Sequence, residues 1–176
     1  VVIPNTQSIE KKKTLEDLGA ELIEVDAAPY SSPNNYVKQS KIIAEKLSKS
    51  NLNGVLWANQ FDNTVNTDAH IKTTSQEIWT QTAGMIHGFV CSVGTGGTLA
   101  GVSIGLKERN KNIKIALSDP MGSSLYSHVK FKKLENSGSS ITEGIGTARI
   151  TKNFEKALVD EAFQTTDEEA LNIIFK

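Results

Sequence analysis

The sequence is poor in the residues on which most reactive sites are built. Its 176 residues include one cysteine, Cys91, and three histidines, His70, His87 and His128. A single thiol excludes an internal disulfide framework, and no Asn-x-Ser/Thr sequon occurs; both absences favour a reducing, intracellular compartment, cytoplasmic or mitochondrial. The histidines have no metal-ligand spacing with one another or with Cys91, so no metal site is expected. Cys91, flanked by Val90 and Val93, reads as a small buried hydrophobe rather than a nucleophile. No carboxylate pair stands out as an acid and base. No run approaches the roughly 18–20 consecutive apolar residues of a membrane span, and the opening Val-Val-Ile-Pro-Asn-Thr-Gln lacks a signal peptide's basic start. Membrane insertion is therefore not expected. An excess of charge of one sign is also missing: 19 Lys and Arg face 20 Asp and Glu, for a formal net charge of −1. The only basic run, Lys11 to Lys13, is short and reads as a solvated helix face, so nucleic acid is not an expected partner. There is no internal repeat and no low-complexity tract.

What is present is an alternation of strand-like and helix-like segments, which predicts an α/β protein with a parallel sheet. Val1 to Pro4 reads as a strand end. A helix follows with Ser8 as N-cap, Ile9, Leu15 and Leu18 near one face and Gly19 at the C′ position. Strand Glu21–Val25, a helix opened by Pro33 that carries Tyr36, Val37, Ile43, Ala44 and Leu47, and strand Gly54–Ala58 complete a first β-α-β-α-β stretch. The polar, turn-rich segment from Asn59 to His70 is the expected boundary between two lobes. Beyond it, Thr74 and Glu77 form a capping-box pattern that starts a helix carrying Ile78 and Trp79 and ending near Gly84. Strand His87–Val93, a helix through Leu106 and strand Ile113–Leu117, ending at Ser118-Asp119-Pro120, make a second β-α-β unit. Residues 137–151 read as a long loop rich in glycine and hydroxyls, of the kind that borders sites. Thr166 and Glu169 form a further capping box, before Ala170, Leu171 and Ile174. A strand end at Val1 and a helix running into Lys176 predict that the 176 residues are a segment of a longer protein.

The chemistry concentrates in Val90-Cys91-Ser92-Val93-Gly94-Thr95-Gly96-Gly97-Thr98. A strand that ends in glycines and feeds a helix aims unpaired N–H groups and the positive end of the helix dipole at one spot, which attracts anions. Glycines admit a phosphate to the backbone without a Cβ clash, and the hydroxyls of Thr95 and Thr98 can donate to further oxygens. A turn needed only for close helix–sheet packing would have the same composition. The P-loop is excluded, because Thr98 and Leu99 follow Gly97 where lysine is required. The dinucleotide pattern G-x-G-x-x-G fits Gly94 and Gly96 but meets Leu99 at its third glycine, although Asp119 stands at the next strand's end. Gly101-Val102-Ser103-Ile104-Gly105 spells G-x-S-x-G inside the helix rather than at a strand-to-helix corner, and reads as coincidence.

Five blocks, taken in order, resemble the pyridoxal-phosphate-dependent cysteine synthase and cystathionine β-synthase family. They are Ser8 to Lys13 with Leu18-Gly19-Ala20, Asn59-Gln60-Phe61-Asp62-Asn63, Thr73-Thr74 through Glu77-Ile78-Trp79, Gly94 to Thr98, and Glu143-Gly144-Ile145-Gly146. Ser139 to Gly146 with Arg149-Ile150-Thr151 is nearer the acetylserine-using cysteine synthases, while Ser118-Asp119-Pro120 with Gly122-Ser123 is similar to cystathionine β-synthases. The resemblance implies a two-lobed, three-layer α/β/α fold of the tryptophan synthase β-subunit-like class, incomplete in this chain. Residues 1–58 would belong to the smaller, mobile lobe and 59–176 to the larger, cofactor-binding one. It implies pyridoxal 5'-phosphate as cofactor, with Gly94, Thr95, Gly96, Gly97 and Thr98 around its phosphate. Gln60 would hold the substrate carboxylate with Phe61 beside it, and Gly144, Ile145 and Gly146 would line the substrate side. The implied activity is β-replacement, a small-molecule amino acid, O-acetylserine, exchanging acetate for sulfide to give L-cysteine. Condensation of serine with homocysteine and a non-catalytic, interacting member are the alternatives. A homodimer is implied for the full-length protein. The family's Schiff-base lysine stands in a Pro-Ser-Lys-Arg type motif that does not occur in these residues, so no catalytic residue is expected in this segment and no activity from it alone.

Overall fold

The computed structural model describes residues 1–175, and Lys176 lies outside the described residues. The chain divides into two compact units, Val1–Asn59 and Gln60–Lys176. In the first, strand β1 (Val2–Pro4) pairs in parallel with β2 (Ile23–Val25), Val2 opposite Ile23. Helix α1 (Ile9–Asp17) connects them, and α2 (Tyr36–Ser48) packs on β1. Gly19 ends α1 at φ +85°, the left-handed conformation that favours glycine. The second helix starts three residues after Pro33, because Asn35 rather than proline sets its origin. The Asn35 side chain accepts from the Val37 amide at 3.1 Å and donates to the Ala28 carbonyl at 2.8 Å. Gly54–Ala58, expected as a strand, forms none; among the described residues the sheet of this unit contains β1 and β2. Leu56 is correspondingly exposed, and Trp57 is held by Nε1 donating to Ser40 Oγ at 3.0 Å.

The second unit is built on a parallel sheet in the order β3 (Gly88–Cys91), β4 (Lys114–Pro120), β5 (Glu161–Thr165). Around it lie α3 (Val65–Lys72), α4 (Thr74–Gln81), α5 (Gly97–Arg109), α6 (Leu125–Phe131) and α7 (Asp167–Ile174). The core joins Leu99, Val102 and Leu106 of α5 to Ile115 and Leu117 of β4, with Val93, Leu125, Phe154 and Ala162. Helix α5 is buried on nearly every side, as expected for a helix without a polar face.

The expected boundary segment Asn59–His70 is only partly a turn: α3 begins inside it, at Val65. This helix was hidden because it packs through small and polar residues. A Cβ on Gly101 would lie 2.5 Å from the Thr67 carbonyl oxygen and from His70 Cβ, and one on Gly105 would lie 2.1 Å from Ser75 Oγ. The glycines spaced by four on α5 therefore let α3 and α4 approach its backbone. Gly101 and Gly105 thus have packing roles, and Ser103 is fully buried, donating to the Ala100 carbonyl and accepting from the Leu158 amide. No nucleophile elbow exists there. The Thr74 capping box is also not formed. Thr73 is the N-cap but its hydroxyl donates back to the Ala69 carbonyl at 2.9 Å instead of capping, and Thr74 Oγ1 meets His70 Nδ1 at 2.8 Å. At α7 the capping box forms as expected, Thr166 Oγ1 accepting from the Glu169 amide and Glu169 from the Thr166 amide. Among the described residues no helix is long and apolar enough to cross a membrane.

Candidate active site around the glycine turn

The turn leaves β3 at Cys91 and enters α5 at Gly97, with Gly96 as N-cap at φ +91°. Each of its glycines is pressed by a different element. A Cβ on Gly94 would lie 2.3 Å from the Gly144 carbonyl oxygen, one on Gly96 2.7 Å from the Phe154 backbone, and one on Gly97 2.1 Å from Asn66 Oδ1. Close packing therefore accounts for the glycines themselves. It does not account for the polar groups left over. Among the described residues, the amides of Gly96 and Thr98 donate to no protein atom. The first turn of α5 carries no acidic side chain, whereas that of α7 carries Asp167, Glu168 and Glu169. A 13-residue helix with a free, uncompensated N-terminus suits an anion. The hydroxyls complete the donor set. Thr95 Oγ1 accepts from Asn66 Nδ2 at 3.0 Å and from the Gly97 amide at 3.3 Å, which leaves its proton to donate. Thr98 Oγ1 lies 3.1 Å from His70 Nε2. Backbone amides, the Thr95 hydroxyl and a helix N-terminus fit a phosphate group, and the Thr98 hydroxyl adds a donor when His70 Nε2 carries the proton of their contact.

Of the other expected residues, the Gly144–Gly146 loop lies against this turn and Gln60 is tied to it through Asn66. The Gly146 amide donates to the Val93 carbonyl at 2.7 Å, which lays the Gly144–Gly146 loop along Gly94. Ile145 and Gly146, with Pro120, Ser123 and Thr147, line an open cleft of about 340 Å³. Gln60 is anchored through its carbonyl, which accepts from Asn66 Nδ2 and Asn153 Nδ2, both at 3.0 Å. Phe61 is covered by the Arg149 guanidinium, 5.6 Å from its ring centre. Segment 149–154 braces both sides at once: Thr151 Oγ1 donates to the Thr95 carbonyl at 2.6 Å, while Asn153 Oδ1 accepts from Thr67 Oγ1 at 2.7 Å.

Residue types and spacing did not single out Asn66, His70 or Asn153. Asn66 and His70 each have one near partner, Gln60 and Thr74, but the bonds that bring them and Asn153 to the site span 28 to 93 residues, beyond any local pattern. Asp62 and Arg149 stood inside recognisable blocks without an assigned role. They form a two-pronged pair at 3.1 and 3.0 Å, about a fifth exposed on each side, and Asp62 also accepts from the Lys152 amide. Burial pushes the Asp62 carboxyl up, but the Arg149 guanidinium and the Lys152 amide outweigh it and hold it below its ordinary 3.8. The unfolded chain then binds more protons than the folded one between the lowered and the ordinary value. The pair's contribution is complete at neutral pH and is lost as pH falls through that window. Asp62→Asn should cost about 1–2 kcal/mol at pH 7, and the gap to the native protein should close in urea titrations carried to acid pH. A gap that is constant with pH would contradict this.

The dinucleotide alternative loses its acidic residue. Asp119 is fully buried and its Oδ2 accepts from the Tyr126 amide at 2.7 Å, so it caps α6 instead of facing a ribose. Burial, only partly offset by its hydrogen bonds, raises its pKa. Cys91 is partly buried, its thiol pushed up by burial, and Sγ donates to the Ser92 carbonyl. His87 is exposed and His128 stacks edge-on against Phe154. Among the described residues no group of three or more metal-ligating side chains gathers.

A family model described as "Pyridoxal-phosphate dependent enzyme" matches residues 1–174. The chain belongs to this family. Cysteine synthase 1 of Emericella nidulans is 44% identical over 181 aligned positions, which cover 100% of this chain and 48% of the relative. Cysteine synthase 1 of Neurospora crassa is 44% identical, with 100% and 47% covered. The crystal structure of an O-acetylserine dependent cystathionine beta-synthase from Helicobacter pylori superposes with a TM-score of 0.79 at 30% identity, covering 97% of this chain and 51% of that one. The chain thus spans about half the length of the curated relatives it matches. Its parallel α/β architecture is that of the tryptophan synthase β-subunit-like class of pyridoxal-phosphate enzymes.

Proposed function

We propose that the full-length protein is a pyridoxal-phosphate-dependent cysteine synthase that replaces the acetate of O-acetylserine with sulfide. The observation that carries this is the donor set of the Gly94–Thr98 turn, brought against Gln60 and the Gly144–Gly146 loop by shared hydrogen bonds. When bound, pyridoxal phosphate supplies the electron sink for loss of the substrate's α-proton and acetate. The chain's own residues hold and orient. The Gly96 and Thr98 amides with the Thr95 and Thr98 hydroxyls take the phosphate, the Gln60 side chain takes the substrate carboxylate, and Gly144, Ile145 and Gly146 line the substrate side. Phe61, fixed under Arg149, keeps the Gln60 loop in place. No lysine here stands in the family's motif, so none is given the role of base. Residues 1–58 belong in this reading to the smaller, mobile lobe, and the protein acts as a homodimer.

Gln60→Ala in the full-length protein should raise the KM for O-acetylserine by about tenfold, as expected for loss of a charge-assisted hydrogen bond, with the cofactor still bound. O-acetylserine should shift the visible absorbance of the holoenzyme, and absence of any shift would refute the substrate. The similarity to an O-acetylserine dependent cystathionine beta-synthase supports a second reading in which homocysteine replaces sulfide. Offering each nucleophile with O-acetylserine separates the two by product.

A further inference from the structure

Asn66 lies in the first turn of α3 and is half-buried. Its amide nitrogen carries two protons and both are used, one on the Gln60 carbonyl and one on Thr95 Oγ1, each at 3.0 Å. The amide's orientation is fixed by this pairing, because the Gln60 carbonyl can only accept and so must face the nitrogen. Thr95 Oγ1 also accepts from the Gly97 amide at 3.3 Å. A hydroxyl oxygen has two lone pairs and one proton. With both lone pairs engaged, Thr95 can only donate, and among the described residues no protein atom takes its proton. A freely rotating hydroxyl could instead turn a lone pair toward an arriving anion, and Asn66 removes that choice. Gly97 permits the arrangement, since any Cβ there would collide with the Asn66 amide.

We infer that Asn66 is a positioning residue that fixes the Thr95 hydroxyl as a donor to the cofactor phosphate and ties it to the Gln60 loop. The inference rests on the reading of the Gly94–Thr98 turn as the phosphate site. One side-chain amide then connects the two halves of the site: a shift of the Gln60 carbonyl changes the donor geometry at Thr95. Asn153 holds the same carbonyl, and Thr151 in its segment bonds the Thr95 carbonyl rather than the hydroxyl, so the coupling to the hydroxyl runs through Asn66.

A double-mutant cycle on the full-length protein tests this. Dissociation constants of pyridoxal 5'-phosphate are measured by fluorescence titration for the native protein, Asn66→Ala, Thr95→Val and the double variant, with Asn66→Ser as a second replacement that leaves less space. Each single variant should weaken binding by about fivefold, the size of one hydrogen bond. The double variant should be no weaker than either single one, because Asn66 acts through a hydroxyl that is already gone. Losses that multiply, or an Asn66 variant with native affinity, would overturn the inference while leaving the phosphate site standing. A Thr95→Val protein with native affinity would overturn the phosphate reading itself, and the inference with it. The KM for O-acetylserine, measured at saturating cofactor, provides an independent readout: it should rise in Asn66→Ala, which removes one of the two amide donors to the Gln60 carbonyl. A native KM in Asn66→Ala would count against the link to Gln60.

Discussion

Replacing Gly96 with alanine should lower the stability of the full-length protein by about 2–5 kcal/mol, combining left-handed backbone strain with overpacking. The two causes are separable in the structure. At φ +91° an L side chain is strained whatever the space, and its Cβ would also lie 2.7 Å from the backbone of Phe154. Phe154 cannot yield easily, because its amide is held by Thr151 Oγ1 and its ring is part of the core. Gly144→Ala serves as the control. Gly144 has a similar φ of +85° but nothing within 4 Å of the added Cβ, so only the backbone cost of about 1–2 kcal/mol applies. Urea unfolding of both variants checks the difference, and equal losses would mean that the contact with Phe154 contributes nothing.

The second large effect is expected at Asn153, which is fully buried. Its side chain donates to the carbonyls of Gln60 and Phe61 at 3.0 and 2.8 Å and accepts from the Thr67 amide and hydroxyl at 3.3 and 2.7 Å. Truncation to alanine would leave the amide and hydroxyl of the fully buried Thr67 without their acceptor and remove one donor each from the Gln60 and Phe61 carbonyls, and should cost about 3 kcal/mol. It should also loosen the Gln60 loop, so the KM for O-acetylserine should rise even under conditions where the variant is fully folded. A lower melting temperature with an unchanged KM would make Asn153 a purely structural hub.

Local patterns carried much of the fold. The β-α-β passage through the glycine turn, the left-handed Gly19 and the Thr166–Glu169 capping box are short-range features, decided by residues within one or two turns of one another. Gly54–Ala58 failed because ladder pairing depends on a neighbour that five residues cannot reveal. The third helix failed for the opposite reason: its neighbours are known only in three dimensions. Asn66, Thr67 and His70 face Gly97 and Gly101 across a close helix crossing, so the helix has no apolar stripe for periodicity to detect. The β5 strand went unread because Glu161-Ala162-Phe163 offers a single buried apolar position. The same limit applied at the site. Glycines and threonines in one short stretch suggest an anion cradle or a packing turn, and only the family resemblance points to Gln60 and Gly144 to Gly146. The amide side chains that join them, Asn66 to Thr95 across 29 residues and Asn153 to Gln60 across 93, leave no trace in spacing.

The Gly94–Thr98 turn is the proposed holder of the phosphate of pyridoxal 5'-phosphate. The direct test compares the affinity of the full-length protein for pyridoxal 5'-phosphate and for pyridoxal, which lacks the phosphate, in the native protein and in a Thr95→Val, Thr98→Val double variant. Two lost hydroxyl donors should weaken binding of the phosphorylated ligand by about tenfold or more, and pyridoxal should bind both proteins equally. Equal weakening of both ligands, or of neither, would contradict the account.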